Sequence, residues 1–200
     1  MPGRNEQSIV FRNQYREHVA VCVAPATSEQ PALAWMTGEA APGARLRFAW
    51  QLDYAFFYAL TGPLRNGSII MPRVIVPAAP PSGARTTFRW DGQSFLLRLA
   101  ANAREGVLSI DQDSSIPPAT ASVGVTIDGV PAAIVQAQPS IETNFVLHPV
   151  YWLAVARRPV VQGTVVEAAT FFAVARIVLT GALKTVTATL TEDGALMVTK

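Results

Sequence analysis

Runs in which apolar and polar residues alternate one by one fill most of this 200-residue chain. Residues 185–191 show it most clearly, with Val186, Ala188 and Leu190 set between Thr185, Thr187, Thr189 and Thr191. A repeat of two is the side-chain period of an extended strand, so the run predicts a strand with one buried face and a threonine stripe turned to water or to a partner. In 48–54 the same logic puts Phe48, Trp50 and Leu52 on one face and Ala49, Gln51 and Asp53 on the other. Strands are expected at 8–13, 18–24, 45–54, 56–60, 68–75, 86–90, 94–100 and 106–110. The second half adds 122–127, 130–138, 143–147, 151–156, 163–167, 171–179, 185–191 and 195–199. Ala32 to Met36 is the one candidate for a helical turn.

Turn signals lie between these runs. Asn66-Gly67, Asp91-Gly92, Asp128-Gly129 and Asp193-Gly194 are dipeptides suited to the two positive φ values of a type I′ hairpin. A two-residue turn at Asp91-Gly92 sets Trp90 opposite Gln93, Phe88 opposite Phe95 and Thr86 opposite Leu97. The same turn at Asp128-Gly129 sets Ile127 against Val130, Val125 against Ala132 and Val123 against Ile134. Proline clusters at 77–81 and 117–118 mark loops, because proline cannot donate to a ladder. The fold class expected is all-β: an antiparallel two-sheet β-sandwich, jelly-roll-like, of about 12–15 short strands with tight hairpins. No linker-like tract or charge block divides the chain, so residues 1–200 are expected to form a single domain.

Composition narrows the functional classes. Half of the residues are hydrophobic and 15% are charged, which calls for a thick core or for strands covered on both faces. No apolar run reaches the roughly 20 residues of a membrane-spanning helix. The first residues lack the apolar core of a secretory signal, so the expected location is cytoplasmic, with non-classical export left open. Net charge is +2 and the basic residues are scattered, an arrangement that does not suit a phosphate backbone; no nucleic-acid partner is expected. Lys184 and Lys200 are the only lysines, so fourteen of the 16 cationic residues are arginine. Few lysines and many arginines suit a self-associating surface, although an arginine-favouring codon usage explains the bias equally well.

Chemistry-bearing motifs are scarce. Cys22 lies within a presumed core strand and is expected to be a buried, unreactive thiol. His18 and His148 have no partner at metal-ligand spacing, and no nucleophile elbow, phosphate loop or Cys-x-x-Cys pair occurs. The segment Asp111-Gln-Asp113-Ser-Ser alternates oxygen ligands but lacks the glycine and the distal acid of a calcium loop, and is expected to be a solvated turn. No catalytic residues, metal or cofactor are therefore expected, and the chain is not expected to be an enzyme. The candidates for a ligand or interface role are Trp50, Tyr54, Tyr58, Trp152, Arg157 and Arg158. The aromatic stretch 54–58 has bulky groups on both faces, which suits core or subunit packing, or a platform for a sugar ring.

Five short segments carry a resemblance to a known family: Leu33-Ala-Trp-Met-Thr37, Phe48-Ala-Trp-Gln-Leu-Asp-Tyr54, Ala121-Ser-Val-Gly-Val125, Val135-Gln-Ala-Gln-Pro139 and His148-Pro-Val-Tyr-Trp152. In this order they resemble the rhizosphere-induced protein family, RhiA. That resemblance implies a bacterial protein with quorum-regulated, plant-root-linked expression, and it carries no active site to this chain. Two functions are then expected in order. The first is a non-catalytic structural or interaction protein that associates with itself, as a homo-oligomer or polymer, through strand edges and sheet faces. The second is a lectin-like β-sandwich that binds a carbohydrate, with a glycan as partner, or another small ligand.

Overall fold

The computed structural model of the protein describes residues 6–26, 32–78, 83–100, 104–146, 149–181 and 184–199. Among them there are eighteen strands, more than the 12–15 expected because Ala32–Leu33, Met36–Ala40 and Val165–Val166 add short pairings, and no α-helix. The first half holds β1 (Glu6–Asn13), β2 (Val19–Pro25), β3 (Ala32–Leu33), β4 (Met36–Ala40), β5 (Arg45–Gln51), β6 (Tyr54–Ala59), β7 (Val74–Ala78), β8 (Ala84–Trp90) and β9 (Phe95–Ala100). The second half holds β10 (Val107–Gln112), β11 (Ser122–Ile127), β12 (Val130–Gln136), β13 (Ile141–Val146), β14 (Val150–Ala156), β15 (Val165–Val166), β16 (Ala173–Val178), β17 (Thr185–Leu190) and β18 (Leu196–Thr199). A single 3₁₀ turn, Ala168–Thr170, interrupts them. Each of the sixteen expected strand regions contains strand or bridge pairing. The Ala32 to Met36 region is not a helical turn: it supplies β3 and the start of β4, because pairing with β15 and β2 overrides the helix preference of its alanines.

The strands form four four-stranded sheets, where two were expected, and a small two-stranded one. The first sheet runs β18-β17-β1-β5 and the second β16-β14-β2-β4; the third runs β12-β11-β6-β7 and the fourth β13-β10-β8-β9. Pairing is mainly antiparallel, yet β1 runs parallel to β17 and β10 parallel to β8. The first of these joins residues 177 positions apart in sequence, where the Ser8 and Thr185 hydroxyls hydrogen-bond at 2.9 Å.

Two large apolar clusters organise the four sheets. Ile9 and Phe11 of β1, Phe48 and Trp50 of β5, and Val186, Ala188 and Leu190 of β17 meet Val19, Val21 and Val23 of β2 and Leu153 and Val155 of β14 in one of them. Phe56, Val123 and Val125 from the third sheet meet Phe88, Leu108, Ile110 and Phe145 from the fourth in the other. At the centre of the first cluster Trp35 stacks on Tyr151 at 5.9 Å between ring centroids and meets Trp50 edge-on at 5.0 Å. Such pairs add about 0.5–1.5 kcal/mol each beyond their buried area. Their polar atoms are satisfied internally: the Trp35 indole N–H donates to the Ile127 carbonyl at 3.2 Å, the Trp50 N–H to the Tyr151 hydroxyl at 3.3 Å, and that hydroxyl to Gln7 Oε1 at 2.9 Å.

Only one of the four turn dipeptides makes a two-residue hairpin. Asp128 and Gly129 have φ of 53° and 75°, and Ile127 faces Val130 as expected. Beyond that first pair the register corrects the expectation: Val125 faces Ala133 and Val123 faces Val135, because a bulge follows Pro131, which has no N–H to continue the ladder. At Asp91 the loop is four residues long, with Trp90 opposite Phe95, Phe88 opposite Leu97 and Thr86 opposite Leu99. The cause is local: Asp91 Oδ1 accepts the N–H groups of Gln93 at 2.9 Å and Ser94 at 2.8 Å. Capture of these amides by the side chain widens the turn. Phe88 and Phe95 still share a face and stack at 5.2 Å. Asp193-Gly194 lies in a five-residue connection between Leu190 and Leu196. Asn66-Gly67 sits in the segment joining β6 to β7, where the Gly67 N–H donates to Val165 O at 2.8 Å.

Candidate functional site

The second sheet has two unlike faces, and its sequence says why. In β2 the order Val-Ala-Val-Cys-Val-Ala alternates large with small, and in β14 Leu153-Ala-Val-Ala156 does the same. The large set packs into the first cluster. The small set points outward, and strand pairing brings it together, Cys22 beside Ala154 and Ala20 beside Ala156. A sheet face trimmed to β-carbons leaves room for another layer to approach closely. That layer is the segment following β14: Val160, Val166 and Phe171 pack over Cys22 and Ala34.

The fit is incomplete. Between this layer and the sheet lies a cavity of about 420 Å³, floored by Cys22, Ala24 and Ala154 and walled by Trp152 and Val174 on the sheet side and Val166, Ala168 and Phe171 on the other. Every lining side chain is uncharged, and apart from the Trp152 indole N–H and the Cys22 thiol all are hydrocarbon. Burial pushes the Cys22 thiol up to about 12, so it stays protonated at neutral pH. Its Sγ lies 3.8 Å from the Val23 carbonyl.

Of the six sequence candidates, only Trp152 lines this cavity, with 38% of its surface exposed. Trp50 is 1% exposed in the first cluster, out of reach of any ligand. Tyr54 borders a crevice of about 30 Å³ with Tyr151 and Phe145, room for about one water. Tyr58 packs at 5.4 Å against Phe88 and 5.8 Å against Phe95. Arg157 lies 4.9 Å over the Phe172 ring and 3.8 Å from Glu17, and Arg158 is exposed beside it. The structure therefore disperses the candidates and does not bring them into one site. The cavity residues Ala24, Ala154, Val166, Phe171 and Val174 were not singled out from the sequence; the large–small alternation in β2 and β14 was the available signal.

The acidic and histidine candidates are accounted for locally. Asp111 receives a two-pronged hydrogen bond from Arg85 at 2.6 and 2.8 Å, with Glu142 at 3.6 Å. Asp113 accepts the Ser115 N–H at 2.9 Å. His18 lies exposed, 3.5 Å from Glu39, and His148 lies outside the described residues. Among the described residues no three His, Cys, Asp or Glu side chains converge to hold a metal, and no helix is long and apolar enough to cross a membrane.

Comparison with known proteins adds the family. The protein RhiA of Rhizobium leguminosarum bv. viciae is 27% identical over 112 residues, 56% of this chain and 48% of that protein, so the match spans about half of the relative's length. No solved structure matches the chain. A sequence profile of the RhiA family matches residues 5–200, and over that length this chain belongs to the RhiA family.

Proposed function

We propose that the protein is a non-catalytic interaction protein that associates with copies of itself, its two pairs of sheets packed as β-sandwiches that display an apolar edge. The observation that carries this reading is the stretch from Leu60 to Ile75. Leu60, Ile69, Met71, Val74 and Ile75 are all exposed there, and Met71 is 73% exposed. The last two open β7, the edge strand of the third sheet. Soluble proteins protect such edges with charge, bulges or cover. Here β7 carries no charged residue; Pro77, itself a device that blunts an edge, comes after the exposed Val74 and Ile75, whose apolar side chains match what a self-pairing edge presents.

Light scattering after size exclusion tests this. The wild type is expected as an oligomer and the double variant Val74→Lys, Ile75→Lys as a smaller species with unchanged circular dichroism. A wild-type chain that stays monomeric at high concentration overturns the reading. The carbohydrate reading retains one supporting observation, the exposed ring of Trp152, and a glycan array without binding removes it.

A further inference from the structure

We propose that the cavity on the outer face of the second sheet is a binding site for an uncharged, largely hydrocarbon small molecule. Its floor, Cys22, Ala24 and Ala154, is built from the smallest side chains of two paired strands whose opposite faces carry valine and leucine. The covering segment reaches over Cys22 with Phe171 and Val166 yet leaves about 420 Å³ unfilled. The pocket is open to solvent past Trp152 and Val174, both exposed, so a small molecule has a way in to the buried apolar floor. The volume falls within the roughly 300–1,000 Å³ typical of small-molecule sites. It equals the liquid volume of about 14 waters, and since aromatic carbons pack more closely than waters, a two- or three-ring hydrocarbon fits within it.

The chemistry of the lining selects the ligand. Trp152 and Phe171 offer aromatic surfaces, and Val166 and Val174 offer branched aliphatic ones. No lining side chain is charged, and the Trp152 indole N–H is the one strong hydrogen-bonding group among them, so a charged group placed inside loses most of its hydration without compensation. A concave space, partly overhung by Val166 and Phe171 and with a floor of small side chains, fits a compact molecule better than the broad surface of a folded partner. The site is distinct from the β7 edge, so it stands or falls separately from self-association.

The test is titration of the full chain with the uncharged fluorophore N-phenyl-1-naphthylamine, alongside its anionic relative 8-anilino-1-naphthalenesulfonate. Saturable binding of the neutral probe is expected, with the anionic one at least about tenfold weaker. Filling the floor with Ala154→Leu or Ala24→Leu is expected to weaken the neutral probe by about tenfold or more, the scale of a methylene misfit in an apolar pocket. The Val74→Lys, Ile75→Lys variant is expected to bind it as the wild type does. Should the filled variants not fold, amide and indole shifts in the wild type replace them: the Trp152 indole and the amides of β14 and β16 are expected to move on probe addition. Absence of saturable binding overturns the proposal. So do equal affinity for the anionic probe, insensitivity of folded Ala154→Leu and Ala24→Leu, shifts confined to other strands, or loss of binding with the edge variant.

Discussion

Tyr151 is the residue whose single polar atom does the most structural work in the first cluster. Its hydroxyl accepts from the Trp50 indole and donates to Gln7, and burial, opposed by the Trp50 hydrogen bond, raises its pKa. Tyr151→Phe leaves both neighbours buried and unpaired; a loss of about 1–3 kcal/mol is expected by chemical denaturation. Three aspartates act in the opposite electrostatic sense. Backbone amides, first that of Ser94, hold Asp91 below its ordinary 3.8; the Ser115 amide does the same for Asp113 and the Thr191 hydroxyl for Asp193. A folded pKa lower than the unfolded one contributes stability that is present above the unfolded value and lost as pH falls through the folded one. The denaturation midpoint is therefore expected to drop as pH falls below about 4, and the triple Asp→Asn variant to show a flatter profile over that window. These local roles were legible only in part. An Asp before Gly marks a turn, but whether its carboxylate captures two amides and widens the loop depends on a geometry that forms only with the fold.

At the scale of the element, alternation identified strands well because it reports which face is buried. The burial of Val186, Ala188 and Leu190 and the partial exposure of the intervening threonines follow the sequence pattern directly. Register was harder. One proline in β12 shifts the partners of β11 by a residue, a change that no alternation pattern contains. Beside that shift sits Gly124, at the centre of a strand whose residues are all buried. A β-carbon there meets Ala133 O at 2.2 Å and the Phe57 ring at 2.7 Å. Gly124→Ala is accordingly expected to destabilise by about 1–3 kcal/mol, visible as a lower thermal midpoint, because backbone and a fully buried ring have no room to yield. Gly129, open to solvent but at φ 75°, is expected to tolerate Ala at a cost of only about 1 kcal/mol, conformational in origin.

At the scale of the whole molecule, β1 lies between β17 and β5, so the first sheet depends on the pairing of segments from opposite ends of the described chain. Removing residues 185–200 is expected to uncover Ile9 and Phe11 and to abolish cooperative unfolding, measured by calorimetry, although most of the chain is still present. The sequence by itself determined that the chain is all-β, where most strands lie and which of their faces are apolar. Each of these follows from a period of two residues and from turn chemistry, both properties of neighbours along the chain. Only the tertiary structure decided that the strands divide into four sheets, that two pairs run parallel, and that Trp50 belongs to the core while Trp152 borders a cavity. Those outcomes depend on which distant segments meet. The physical reason is that sheet pairing and burial are long-range: Cys22 and Ala154 become one floor only when strands more than a hundred residues apart align, and nothing local to either residue encodes that meeting.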